Sequence, residues 1–224
     1  VRTIWFMEKE EFLKKLETEL KISKNSPHTI RNYLSANSQL IDFSKKNPEG
    51  ITEEDVKFFI AENLTERSSI SGILFLAAIK YAYSNLLKKD ITAGIKRPRR
   101  ETKIPVVLTK EEVKKLLGVI NDKKSKLMSS MLYACGFRVS ELVNLKINDI
   151  NFDEKTGHVR QGKGNKDRMF NIPEFLIKDL REQVDRQKSK NKIHLFSGQN
   201  DRMSERNIQK IIEKARINAG IQKP

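Results

Sequence analysis

The spacing of apolar positions divides the chain into a helical first part and a mixed second part. From Glu8 to Leu20, the residues Phe12, Leu13, Leu16 and Leu20 recur mostly three and four apart, the period of a helix that buries one face. Ser26-Pro27 supplies a cap followed by proline at the first helical position. A second helix is therefore predicted from there to about Lys46, with Ile30, Tyr33, Leu34, Leu40, Ile41 and Phe43 toward a core. Asn47-Pro48-Glu49-Gly50 stops it. Thr52-Glu53-Glu54-Asp55 sets carboxylates at the positive end of a third helix, and Ser68 or Ser69 caps a fourth that runs to about Lys88. Four such helices make a compact bundle. Phe58, Phe59, Phe75, Tyr81 and Tyr83 are read as its core rather than as a platform for stacked bases, which usually sits on strands.

In the second part, Thr109-Lys110-Glu111-Glu112 is a capping box that opens a helix to about Asn121, and Lys124 to Cys135 forms another, ended by Gly136. Short alternating runs at Leu145–Asn151, Gly157–Gln161 and Arg168–Ile172 predict strands. Lys155-Thr156-Gly157 and Gly162-Lys163-Gly164-Asn165-Lys166 supply the turns of a three-stranded meander. Helices at Glu174–Lys188 and Ser204–Ala219 follow, the latter stopped by Gly220. The expected fold class is mainly α with a small antiparallel sheet: a four-helix domain over 1–94, a linker over 95–105 and an α+β domain over 106–224.

Charge sharpens this division. The chain has 224 residues, with 44 Lys+Arg, 29 Asp+Glu and a formal net charge of +15. Residues 1–94 are nearly balanced, so the basic excess belongs to the rest. The linker Ile95-Lys96-Arg97-Pro98-Arg99-Arg100-Glu101-Thr102-Lys103-Ile104-Pro105 reads either as a solvated segment or as a strap along phosphates. A polyanion partner accounts for both the strap and the basic second part. No run approaches the roughly 18 apolar residues of a membrane span, and the opening residues lack a signal peptide's apolar stretch, so a cytoplasmic protein is expected. Cys135 is the only cysteine, which excludes an internal disulfide, and with three scattered histidines it cannot build a zinc cluster.

Candidate chemistry is concentrated between Gly136 and Arg168. Gly157 to Lys163 has the spacing of a phosphate-binding loop, but Gly164 stands where a Ser or Thr hydroxyl should hold magnesium, and the glycines frame a strand and a hairpin tip. Asp149, Asp153 and Glu154 are close in sequence yet alternate along a strand and turn, and are expected to face solvent rather than converge on a metal. More informative is the pair Gly136-Phe137-Arg138-Val139-Ser140-Glu141-Leu142 and Gly162-Lys163-Gly164-Asn165-Lys166-Asp167-Arg168. Alone, the first could be an arginine satisfying carbonyls at a helix end, and the second a solvated turn.

Together, in this order and with strands between them, the two segments resemble those of the tyrosine site-specific recombinases, the phage-integrase family, in its Xer-like branch. The Ile/Lys-rich style suggests an archaeal or AT-rich bacterial source. The resemblance implies an N-terminal helical core-binding domain and a catalytic domain, together gripping duplex DNA. It makes Arg138 the first catalytic arginine and Lys163 the catalytic lysine, with Ser140 and Glu141 as helix-starting and supporting residues. Lys96, Arg97, Arg99, Arg100, Lys103, Lys166 and Arg168 are the candidate DNA contacts, and no metal or cofactor is expected. The implied partners are a double-stranded recombination site and further copies of the chain, a tetramer in the synapse and a monomer or dimer when free. The implied activity is strand exchange through a 3′-phosphotyrosine, with chromosome dimer resolution as its purpose.

The same resemblance places an H-x-L-R box and the tyrosine nucleophile downstream of Pro224. Tyr33, Tyr81 and Tyr83 lie in the helical first part, and Tyr133 falls on an apolar helix where core packing is expected. No tyrosine in this chain takes the nucleophile's place, so residues 1–224 are expected to bind DNA without cutting it. Three alternatives remain at this point: an integrase of a virus or mobile element, a DNA-binding relative without chemistry, and a metal-dependent nuclease.

Overall fold

The computed structural model describes residues 7–99, 104–160, 167–198 and 201–223. The chain divides into two compact units, Val1–Ile104 and Pro105–Pro224.

The first unit is built from α1 (Lys9–Ile22), α2 (Pro27–Ser44), α3 (Glu53–Asn63) and α4 (Ser69–Leu86). Their starts follow the cap chemistry of the sequence. Ser26 Oγ accepts from the Thr29 backbone N–H, and Thr52 and Asp55 exchange bonds in a capping box, each filling donors that a helix start leaves open. The apolar faces of α1, α2 and α4 meet in a core that includes Phe12, Leu16, Leu20, Leu40, Ile51, Ile79 and Tyr83. Phe59 and Phe75 stack at 4.6 Å, which places these two rings in the core as expected. Phe58 does not join them and is 63% exposed. Neighbouring residues on a helix point about 100° apart, so α3 cannot bury Phe58 and Phe59 on one face. Phe43 is 40% exposed and meets the Phe59 ring edge-on at 5.3 Å.

The second unit contains α5 (Lys110–Gly118), α6 (Lys123–Ala134), α7 (Val139–Asn144), α8 (Glu174–Lys188) and α9 (Glu205–Asn218). Its described residues also form a three-stranded antiparallel sheet in the order β1 (Ile150–Asn151), β2 (Thr156–Val159), β3 (Arg168–Asn171), and a hairpin of β4 (Ser197–Gly198) with β5 (Asp201–Arg202). A mainly helical fold with a small antiparallel sheet is thus present. The strand expected over Leu145–Asn151 is mostly something else: Ile147–Asp149 forms a 3-10 turn and strand geometry is confined to Ile150–Asn151. The cause is Asp149, whose carboxylate accepts the Lys146 backbone N–H and closes the chain locally before it can extend. The β4–β5 hairpin was not foreseen.

The main core of this unit gathers Leu127, Met128 and Met131 of α6, Leu142 of α7, Val159 and Phe170 of the sheet, Leu176 and Leu180 of α8, and Phe196. Tyr133 falls on the other side of α6 and is 56% exposed, against the expectation of core packing. Gln183 and Gln187, one turn apart on α8 and both buried, each donate to the Leu195 carbonyl, at 2.8 and 2.9 Å.

One close approach sets the position of the sheet. Gly157 pairs with Phe170 across β2 and β3, and a methyl group added at Gly157 would meet the Phe170 ring and, at 2.9 Å, the Asp149 carbonyl oxygen. Only glycine lets the ring lie there, and from there Phe170 meets Phe137 edge-on at 4.5 Å. Gly157→Ala is expected to cost about 1–3 kcal/mol, because a backbone oxygen must shift as well as a side chain; denaturant midpoints of this unit check it.

Candidate active site

The loop that joins α6 to α7 is defined by Gly136, whose φ of +61° is a conformation that side-chain-bearing residues avoid. The turn ends α6 and delivers Phe137 to the core and Arg138 to the first position before α7. Arg138 stands in extended geometry and its side chain is 59% exposed. Its guanidinium is nevertheless oriented. Glu141, with a side chain only 2% exposed, accepts from Arg138 Nη1 at 2.7 Å through Oε1 and from the Arg138 backbone N–H at 3.0 Å through Oε2.

The same carboxylate holds a second arginine. Arg168, the first residue of β3, donates from Nη2 to Glu141 Oε2 at 2.7 Å and to the Gly136 carbonyl at 3.0 Å, and lies over the Phe137 ring at 5.6 Å. Burial alone would raise the Glu141 pKa, but hydrogen bonds from Arg168, the Arg138 backbone and the Arg138 side chain win and hold it down to about 2. Glu141 therefore supports Arg138, as the resemblance implied, and does so as a fully ionised group.

That shift has a consequence for acid stability. The folded pKa lies below the ordinary 4.5, so the stabilisation is present above the unfolded value and is lost as pH falls through about 2. The amount at stake is about 3 kcal/mol. Glu141→Gln is expected to be less stable than wild type near neutrality and to lose this part of the decline between about pH 5 and pH 2, measured by denaturant unfolding of this unit across that range.

A second carboxylate–arginine pair lies nearby. Asp149 is buried, not solvent-facing as its strand position suggested, and Arg160 Nε donates to its Oδ1 at 2.9 Å. A cavity of about 360 Å³ is lined by Glu141, Asn144, Lys146, Asp149, Arg160 and His194 among others, so it adjoins the carboxylate that holds Arg138. Arg202 of β5 closes on Asn144 through a hydrogen bond to its side-chain oxygen. Sequence reasoning missed Arg160 and Arg202, because each acts through a partner 11 or 58 residues away. Cys135 stays a thiol, since burial, only partly opposed by the Arg168 charge, pushes it up to about 11.

The other candidates fall as follows. Arg138 and Arg168 come together on Glu141. Lys96, Arg97 and Arg99 are exposed and belong to the first unit. Lys163, Lys166, Arg100 and Lys103 lie outside the described residues.

Comparison with known proteins bears on this arrangement. The description "Phage integrase family" matches residues 106–224, a span that contains Arg138, Glu141 and Arg168. The chain belongs to the phage integrase family. A phage integrase N-terminal SAM-like domain matches residues 12–93. Among phage integrase relatives, the tyrosine recombinase XerA of Pyrococcus furiosus is 33% identical over 220 residues, 94% of this chain and 74% of that protein. An integrase/recombinase of Escherichia coli is 37% identical over 145 residues, 63% of this chain; the match covers 43% of that relative's length. A λ integrase tetramer solved on a Holliday junction matches with a TM-score of 0.76 at 15% identity, over 97% of this chain and 65% of that one, which is a likeness of fold. Among the described residues, no helix is long and apolar enough to cross a membrane.

Proposed function

We propose that the chain is the DNA-binding and catalytic part of a Xer-type tyrosine recombinase, which cuts and rejoins duplex DNA through a 3′-phosphotyrosine. The observation that carries this reading is Arg138, an exposed guanidinium oriented by a buried carboxylate within the segment that matches the family. When a tyrosine hydroxyl attacks a phosphodiester, negative charge gathers on the non-bridging oxygens. A guanidinium keeps its charge at every working pH and offers a planar fork to two oxygens. Because Glu141 already fixes the group, little reorganisation is needed as that charge develops. Lys163 takes the complementary role and gives a proton to the departing 5′ oxygen. The energy of the cut bond is kept in the protein–DNA link, so rejoining needs no nucleotide cofactor.

On this reading Lys96, Arg97, Arg99, Arg100, Lys103 and Lys166 neutralise backbone phosphates, and the +15 net charge draws the protein to DNA. The protein acts on a short, near-palindromic duplex site as a tetramer of four copies in the synapse, working in the cytoplasm, with resolution of chromosome dimers as its purpose. The test is a nicked suicide duplex incubated with the intact gene product. A covalent adduct that survives denaturation and forms in EDTA supports the reading; binding without adduct supports a non-catalytic DNA-binding relative, and EDTA-sensitive cutting supports a metal-dependent nuclease.

The match to the Escherichia coli integrase/recombinase favours a second reading, in which the same chemistry serves a mobile element. A gene lying beside its own attachment site would support it.

A further inference from the structure

We propose that Arg168 is a positioning residue for Arg138: it shares Glu141 with Arg138 and so leaves Arg138 attractive to a phosphate. This inference rests on the recombinase reading and deepens it, because it replaces a phosphate contact at Arg168 with a charge-balancing role behind the catalytic arginine.

The geometry is that of two guanidinium groups on one buried carboxylate. Glu141 divides its oxygens, Oε1 to Arg138 and Oε2 to Arg168 and the Arg138 backbone. A lone pair of Arg138 and Glu141 would be neutral, and a carboxylate with a side chain 2% exposed would pull the guanidinium onto both its oxygens, since water cannot screen it. Arg168 supplies the second positive charge, so the cluster of three groups carries a net +1. Glu141 is then satisfied without claiming all of Arg138. The two arginines differ as these roles require: the Arg138 side chain is 59% exposed and the Arg168 side chain 35%. Arg168 is also tied on two further sides, by the Gly136 carbonyl at 3.0 Å and the Phe137 ring at 5.6 Å. These partners hold the Nη2 end of Arg168 against the glycine turn and its carboxylate, so the group is placed to balance the charge of Glu141. The clamp joins β3 to the glycine turn that presents Arg138, and Phe170, two residues on, packs on Phe137 from the same strand.

The experiment compares wild type, Arg168→Gln, Arg168→Lys, Glu141→Gln and the Arg168→Gln/Glu141→Gln pair in the intact gene product. DNA affinity, its salt dependence and single-turnover cleavage at saturating suicide substrate are measured. A positioning role predicts that Arg168→Gln slows cleavage on the order of 10²-fold with affinity and salt slope nearly unchanged. Arg168→Lys, which keeps the charge but not the fork, falls between. The double variant regains at least tenfold over Arg168→Gln, because a neutral amide at 141 needs no second cation and Arg138 keeps its charge for the phosphate. A phosphate contact predicts weaker binding, a salt slope reduced by about one and no rescue, and would overturn the proposal. So would an unchanged cleavage rate. Carboxyl-carbon NMR gives a readout that needs no cleavage: in Arg168→Lys and Arg168→Gln the Glu141 titration should move up toward the ordinary range, and no movement counts against the proposal. Wild type that forms no adduct sinks the recombinase reading itself, whereas wild type that cuts alongside unaffected Arg168 variants sinks only this inference.

Discussion

Arg138→Ala is expected to slow DNA cleavage by about 10²–10³-fold while leaving most of the DNA affinity in place. The asymmetry follows from where the guanidinium works. In the ground state it is one cation among many on a chain of net charge +15, so its loss removes a small share of the attraction to the duplex. On the recombinase reading proposed above, it faces in the transition state oxygens that have gained charge, and removing one preorganised donor from such a site costs about 3–4 kcal/mol. Truncation also leaves Glu141 with Arg168 as its remaining side-chain partner, so stability should change less than for a residue whose loss strands a buried charge. Adduct formation on a suicide duplex, with a parallel gel-shift titration, separates the two effects. Equal losses in cleavage and affinity would mean that Arg138 only binds.

Lys163→Ala is the companion case, with cleavage expected to fall about 10²–10⁴-fold on an ordinary phosphodiester. A general acid is required only while the leaving group needs a proton. A substrate with sulfur in the 5′ bridging position leaves as a stable thiolate, so the variant should approach the wild-type rate on it. Arg138→Ala should gain nothing comparable, because the role proposed for Arg138 is on the non-bridging oxygens. A Lys163→Ala enzyme that remains slow on the sulfur substrate would remove Lys163 from the acid role.

Residues whose roles are local were legible in the sequence. Thr52 with Asp55 and Thr109 with Glu112 form the reciprocal capping bonds that mark helix starts, and Gly136 takes the positive φ that a helix end before Arg138 requires. What failed involved partners distant along the chain. Asp149 looked like a strand residue facing water, yet Arg160 and the Lys146 backbone N–H together draw it inside, and the local closure replaces most of the expected strand. Phe58 and Tyr133 are apolar by type but lie on the wrong phase of their helices, so composition favoured burial where periodicity should have decided. Strands of two residues, such as β4 and β5, are too short to carry an alternation at all. In the candidate site, the resemblance implied a supporting role for Glu141, and its carboxylate does bond Arg138 three residues away. The participation of Arg168, 27 residues beyond Glu141, depends on the sheet register and could not be read from spacing.

The two glutamines of α8 impose a rule on insertions. Both side-chain amides converge on one carbonyl, that of Leu195, and Ser197 Oγ donates back to Gln187 Oε1 at 3.0 Å. Shifting the chain by a single residue at this point would carry that carbonyl away from both donors and leave polar atoms dry in the interior. Extra length should therefore be tolerated in the exposed turn at Ser189–Asn191 and rejected between His194 and Ser197, so that natural variation in this stretch is expected to expand on one side of the amide clamp only.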